Sequence, residues 1–159
     1  MTGHVVRACE DARCELRDLT TDKLAALDPR LTAMPDQVAA WRDTGVCVIS
    51  GFHSPLEQQC LDILLRGKQP IVWVLARGIV TLRLPKPKRT ALDDGRLTMV
   101  SPFPAGESRT NADLARQRNR VVAALAAEMV FAHISSGRSL ERLAGEVAQW
   151  GMQPTVLQP

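Results

Sequence analysis

The sequence has no tyrosine, and its three Phe and three Trp bring aromatics to only 4% of 159 residues. A surface that holds nucleic acid chiefly by stacking bases on rings is hard to build from Phe52, Phe103, Phe131 and three tryptophans. Long apolar runs are also missing. No stretch approaches the roughly 18 residues of a membrane span, and "MTGHVVRACEDARCELRDLTTDK" has no apolar core for secretion, so a cytoplasmic protein without a membrane partner is expected. Neither GxGxxG nor GxxxxGK[ST] occurs, which leaves no glycine pattern for a dinucleotide or NTPase site. Cysteine is scarce. Cys47 and Cys60 fall within apolar periodic runs, where a reduced thiol behaves as a small hydrophobe. Structural thiols are expected, with no metal and no cofactor; the CxxxxC pair Cys9 and Cys14 is the weaker, metal-binding alternative.

What is present is an ordinary globular composition, 45% hydrophobic and 23% charged, at a length that suits one core. The net charge of +3 hides an uneven distribution. Residues 66–120 hold twelve Lys or Arg against four acids, whereas residues 1–65 hold six against ten. Such a central basic surplus fits an anionic partner.

Residues 10–43 read as helical pieces broken at Asp28-Pro29 and Met34-Pro35, with Gly45 as a C-cap and no strand assigned before residue 45. Residues 1–44 are therefore expected as a helical segment packed on the domain that residues 45–159 build. "VCVIS" is short and apolar without alternation, as in a strand buried on both faces. Ser54-Pro55-Leu56-Glu57 then supplies a capping box with proline at the first helical position. The alternation continues through "PIVWVLA", "RLTMVS", a helix over 111–128, "MVFAHI", a helix over 139–150 and "QPTVLQ", while "LPKPKRT" and "SPFPAGESRT" read as loops. The expected fold is α/β: a Rossmann-like, open, mostly parallel sheet with helices on both faces.

In such sheets ligands bind beyond the carboxyl ends of the strands, against helix N-termini. Ser50 and Gly51 end one strand there, His53 lies in the turn, and Ser54 opens a helix aimed at the same space, so the turn could hold a phosphate. Arg116, Asn119 and Arg120 share a helical face, and Arg118 brings a third guanidinium into five residues, a density that invites an anion. Arg118 and Arg120 are both expected on the polar face, opposite Leu114, Val121, Val122 and Leu125. Ser136 and Gly137 form another strand-to-helix turn after His133.

Taken in order, "VISGFHSPLEQQCLDILLRGKQPIVWVLARG", "RLTMVSPFP", "LARQRNRVVAALAAEMVFAH" and "SSGRSLERLAGEVAQWGMQPTVL" resemble the DNA-processing protein A (DprA/Smf) family over residues 45–157. That resemblance implies the superfamily that also holds the cytokinin-activating phosphoribohydrolases. It assigns Ser50 and Gly51 to a phosphate-binding turn, Arg118, Asn119 and Arg120 to an Arg-Asn-Arg motif, and Ser136 and Gly137 to a second turn. It implies single-stranded DNA as partner and recombinase loading; a homodimer is a separate expectation, not one drawn from the family. The chain departs from the family after Ser-Gly, where a Leu-Ala-Arg-Gly-Ile-Asp pattern is replaced by Phe52-His53-Ser54-Pro55-Leu56-Glu57. The expected function is non-enzymatic binding of single-stranded DNA backbone in a basic groove at the carboxyl edge of the sheet. A free nucleotide as ligand, bound or processed as in a phosphoribohydrolase, is the alternative, although "SSGRSLE" keeps only one glycine and Glu141 of the usual Pro-Gly-Gly-x-Gly-Thr turn and its acid. An interaction scaffold is a third reading.

Overall fold

A computed structural model describes residues 3–7, 30–79, 83–134 and 139–157. In chain order these residues form β1 (Gly3–Arg7), α1 (Arg30–Asp43), β2 (Cys47–Ser50), α2 (Pro55–Leu65), β3 (Ile71–Val74), α3 (Lys86–Asp93), β4 (Leu97–Val100), α4 (Ala112–Leu125), β5 (Glu128–Phe131), α5 (Ser139–Gln149) and β6 (Thr155–Val156). The strands make one sheet in the order β4-β3-β2-β1-β5-β6. Every pairing is parallel, with Val48 beside Ile71 and Val5 beside Met129. The chain winds outward from β1 to β4 and then returns to the other side of β1 for β5, so the order reverses between β1 and β5. This is the Rossmann-like architecture expected from the alternating pattern.

Two apolar layers cover the sheet. Met34, Val38 and Trp41 of α1, with Cys60, Leu61 and Leu64 of α2 and Ala91 of α3, pack on Val48, Ile71 and Leu97. On the opposite face Val122 and Ala123 of α4, with Leu140, Leu143 and Val147 of α5, pack on Ile49, Val74, Met129 and Phe131. Successive residues of β2 and β3 thus serve opposite layers, which is why those strands read as continuous apolar runs.

Three local expectations are corrected. Residues 3–7 form a strand within the segment read as helical, and it lies in the middle of the sheet between β2 and β5. Only five residues long, with a histidine and an arginine inside, "GHVVR" carries too weak an apolar run to announce itself. Next, α1 continues through Pro35 where a break was expected. An internal proline costs about 3 kcal/mol, but burying Met34, Val38 and Trp41 is worth about 1.5–3 kcal/mol each, so packing wins. Finally, "LPKPKRT" is not all loop, because Lys86–Asp93 is helical. Pro85 and Pro87 fall where helix N–H groups have no intrahelical acceptor, so they start the helix instead of breaking it. Gly95, at φ 71°, ends that helix, with Gly95 N–H donating to Leu92 O and Arg96 N–H to Ala91 O. The Asp28-Pro29 break lies outside the described residues.

Candidate functional site

The carboxyl end of β2 is organised by Glu57. Ser54 caps α2, its hydroxyl accepting from Glu57 N–H at 3.3 Å, and Glu57 completes the capping box. Its carboxylate goes further: Oε2 accepts from the N–H groups of His53 at 3.1 Å and Ser54 at 3.0 Å, while Oε1 accepts from Ser50 Oγ at 2.8 Å. Glu57 is only 5% exposed and Ser50 is fully buried. The donors that the sequence pattern offered to a phosphate are thus directed at an internal carboxylate, held at the positive end of α2. Cys60 lies one turn along the same helix, and burial together with the Glu57 charge pushes its thiol well above the ordinary range.

Gly51 is required by an arginine. A Cβ at Gly51 would lie 1.3 Å from Arg118 Nη1, so only a hydrogen at this position lets the guanidinium pass. Arg118 donates through Nη1 to Val74 O at 3.4 Å and through Nε to Asn119 Oδ1 at 2.9 Å. At 4% and 5% exposure, Arg118 and Asn119 both belong to the interior, which corrects the expectation that Arg118 lies on the polar face with Arg120. A pattern of apolar positions places an arginine outside by default; here a backbone carbonyl and a glycine-sized gap draw it inward.

The rest of the turn is held from β3. Trp73 Nε1 donates to Gly51 O at 2.9 Å, and Lys88 Nζ stands 4.9 Å from the centre of the Trp73 ring. Phe52 adopts φ 43° while 2% exposed. A left-handed conformation costs a bulky residue about 1–2 kcal/mol, and it persists here because the surrounding core holds the ring.

Above these residues, at the carboxyl ends of β2 and β3, lies a cavity of about 270 Å³. Gly51, Phe52 and His53 line one side, Trp73 and Arg77 another, while Thr110 approaches from the loop before α4 and Arg118 from α4 itself. His53 and Thr110 are exposed and Arg77 is half-buried. The Arg77 segment is clamped to the 101–107 loop: Ser101 Oγ donates to Arg77 O at 2.7 Å and Gly78 N–H to Glu107 O at 2.8 Å. Gly78 has no space for a side chain, since a Cβ would meet Pro104 O at 2.1 Å.

Arg116 and Arg120 point elsewhere. Arg116 pairs with Asp113 one turn back on α4, and Arg120 Nε meets Glu146 Oε2 of α5 at 2.9 Å. Both line a second cavity of about 380 Å³ between α4 and α5, together with Asn119, Ser139 and Arg142. The anions that a dense arginine cluster calls for are thus partly supplied by the protein itself. Of the residues singled out in the sequence, Ser50, Gly51, His53, Ser54 and Arg118 meet at one edge; Arg116 and Arg120 stand apart, with Asn119 between the two groups. Ser136 and Gly137 lie outside the described residues. Trp73, Arg77 and the Glu57 network were missed. Glu57 was visible only as a capping residue, while Trp73 and Arg77 reach the site through parallel pairing of β2 with β3, which no local motif encodes.

Among the described residues no cluster of His, Cys, Asp or Glu is arranged to hold a metal ion. Among the same residues, no helix is long and apolar enough to cross a membrane.

No protein-family profile matches the chain, and no curated protein matches it. Solved structures do. DNA processing protein A (DprA) from Streptococcus pneumoniae superposes with a TM-score of 0.69 at 13% identity, over 99% of this chain and 51% of its own length. DprA from Helicobacter pylori, a structure described for its single-stranded DNA binding mode, gives a TM-score of 0.68 at 12% identity, over 99% of this chain and 66% of its own. The chain spans about half the length of the first and two thirds of the second. The fold is DprA-like.

Proposed function

We propose that this protein binds single-stranded DNA by its backbone at the carboxyl edge of the sheet. The observation that carries the reading is the cavity at the ends of β2 and β3, with Arg77 and Arg118 in its wall and the exposed His53 at its rim. Arg77 makes no ion pair among the described residues, in contrast to Arg42, Arg116 and Arg120, which each have a carboxylate partner. A guanidinium without a carboxylate at a cavity mouth suits a phosphate oxygen, and such contacts carry no base preference. The fold likeness to the Helicobacter pylori protein supports the same ligand class. A free nucleotide is less well served, because the donors of the β2 turn are taken up by the Glu57 carboxylate. A recombinase partner and a homodimer belong to the same proposal and are checked by co-sedimentation and light scattering.

The test is a fluorescence-anisotropy titration of a labelled single-stranded oligonucleotide at two salt concentrations, with duplex DNA and mononucleotides as competitors. The expected result is binding that weakens steeply with salt, is indifferent to base sequence, and loses affinity in Arg77→Ala. Binding displaced by a mononucleotide moves the assignment to a nucleotide ligand. Absence of salt-sensitive binding removes it.

A further inference from the structure

The cations of α3 find no anion within the described protein. Lys86, Lys88 and Arg89 fall in its first turn, Arg83 precedes them, and the turn holds no acid. Among the described residues none of the four makes an ion pair. This is an unfavourable arrangement for the helix by itself, because positive side chains crowd the end where the backbone dipole is already positive, at about 0.3–1 kcal/mol each. Pro85 adds no side-chain cap. Lys88 offsets part of the cost by lying over the Trp73 ring, and Trp73 is both a wall of the cavity and the donor that holds Gly51 O. The stack therefore fixes the basic turn of α3 beside the cavity. Lys86 and Arg89, three residues apart, share a second, exposed face of the same turn, around the helix from Lys88.

We infer that this face of α3 is a second contact surface for the nucleic acid, so that a strand engaged at the cavity passes Lys88 on Trp73 and wraps the basic turn to reach Lys86 and Arg89. The inference rests on the DNA-binding reading and extends it: the protein holds a polymer longer than the cavity alone could cover. The ligand class follows from charge, since a row of unpaired cations beside a cavity suits an extended polyanion better than a single small anion.

The experiment compares the unaltered chain, Arg77→Ala and Lys86→Ala with Arg89→Ala, each titrated with a trinucleotide and with a long single-stranded oligonucleotide over a range of salt. Both α3 side chains are exposed, and Lys88, which lies over Trp73, is kept, so the double variant is expected to fold as the parent does and to melt no lower, since it relieves two of the charges that crowd the helix start. It should bind the trinucleotide as the parent does, lose affinity for the long strand, and flatten the slope of log K against log salt by about 1.4, at about 0.7 per phosphate contact on a single strand. Arg77→Ala should weaken both ligands. If the double variant keeps the parental affinity and slope for the long strand while Arg77→Ala weakens it, α3 is not a contact surface and the cavity reading stands. If the parent binds neither oligonucleotide, the DNA-binding reading falls and this inference with it.

Discussion

Gly51 and Arg118 share one volume: the space a Cβ would take on the glycine is filled by the guanidinium, with Nη1 1.3 Å and Cζ 2.0 Å from that point. The contact joins the turn after β2 to the buried face of α4. It gives the glycine a structural purpose whether or not a ligand is bound.

Gly51→Ala is expected to lower stability by about 1–3 kcal/mol, the range for forcing an extra carbon into a packed interior. The loss should shrink when Arg118→Ala is already present. A double-mutant cycle by urea denaturation is expected to give a coupling of at least about 0.5 kcal/mol. Additive losses would mean that the two residues do not oppose each other.

Arg118 and Arg120, two residues apart on α4, should separate by burial. Arg118→Ala leaves Val74 O and Asn119 Oδ1 short of a buried donor and is expected to cost about 1–3 kcal/mol. Arg120→Ala breaks a pair whose arginine is 60% exposed and should cost no more than about 1 kcal/mol. Equal losses in thermal melting would contradict the inward placement of Arg118.

Around Glu57 the order of effects is the prediction. Ser54→Ala removes a helix cap and should cost about 1 kcal/mol. Glu57→Ala removes at once the carboxylate that accepts from the Ser50 hydroxyl and from two N–H groups, and should cost more, upwards of about 2 kcal/mol. Chemical denaturation of the two variants checks the ranking, and a Glu57→Ala chain as stable as Ser54→Ala would show that the carboxylate does not organise the turn.

Thiol chemistry should report burial. Burial raises the Cys60 thiol strongly and the Cys47 thiol less, so at neutral pH both hold less thiolate than a free cysteine. Because the thiolate is the reactive form, alkylation at Cys47 is expected to be slow, and at Cys60 to wait for unfolding. Mass spectrometry of labelled peptides across a denaturant series reads both sites, and rapid native labelling of Cys60 would refute the assignment.

The alternation of apolar strands with capped helices was legible because it is local. "VCVIS" needs no partner to read as a doubly buried strand, and Ser54-Pro55-Leu56-Glu57 announces its own helix start. From those pieces the parallel sheet and its two helical layers follow by handedness and connection length. The β1 strand escaped because "GHVVR" is short and mixed, and its place in the sheet comes from pairing on both sides with β2 and β5.

The sequence by itself determined most of the elements, the parallel alternation that joins them, and the uneven charge with its basic surplus over residues 66–120. The tertiary structure alone decided which cations that surplus leaves uncompensated. Arg116, Arg118 and Arg120 look alike within one helix, yet one turns to Asp113, one to Glu146 and one inward to Val74 O, because their acceptors lie at different distances along the chain. Spacing along a helix tells which side chains share a face; it does not tell what the opposite surface offers them.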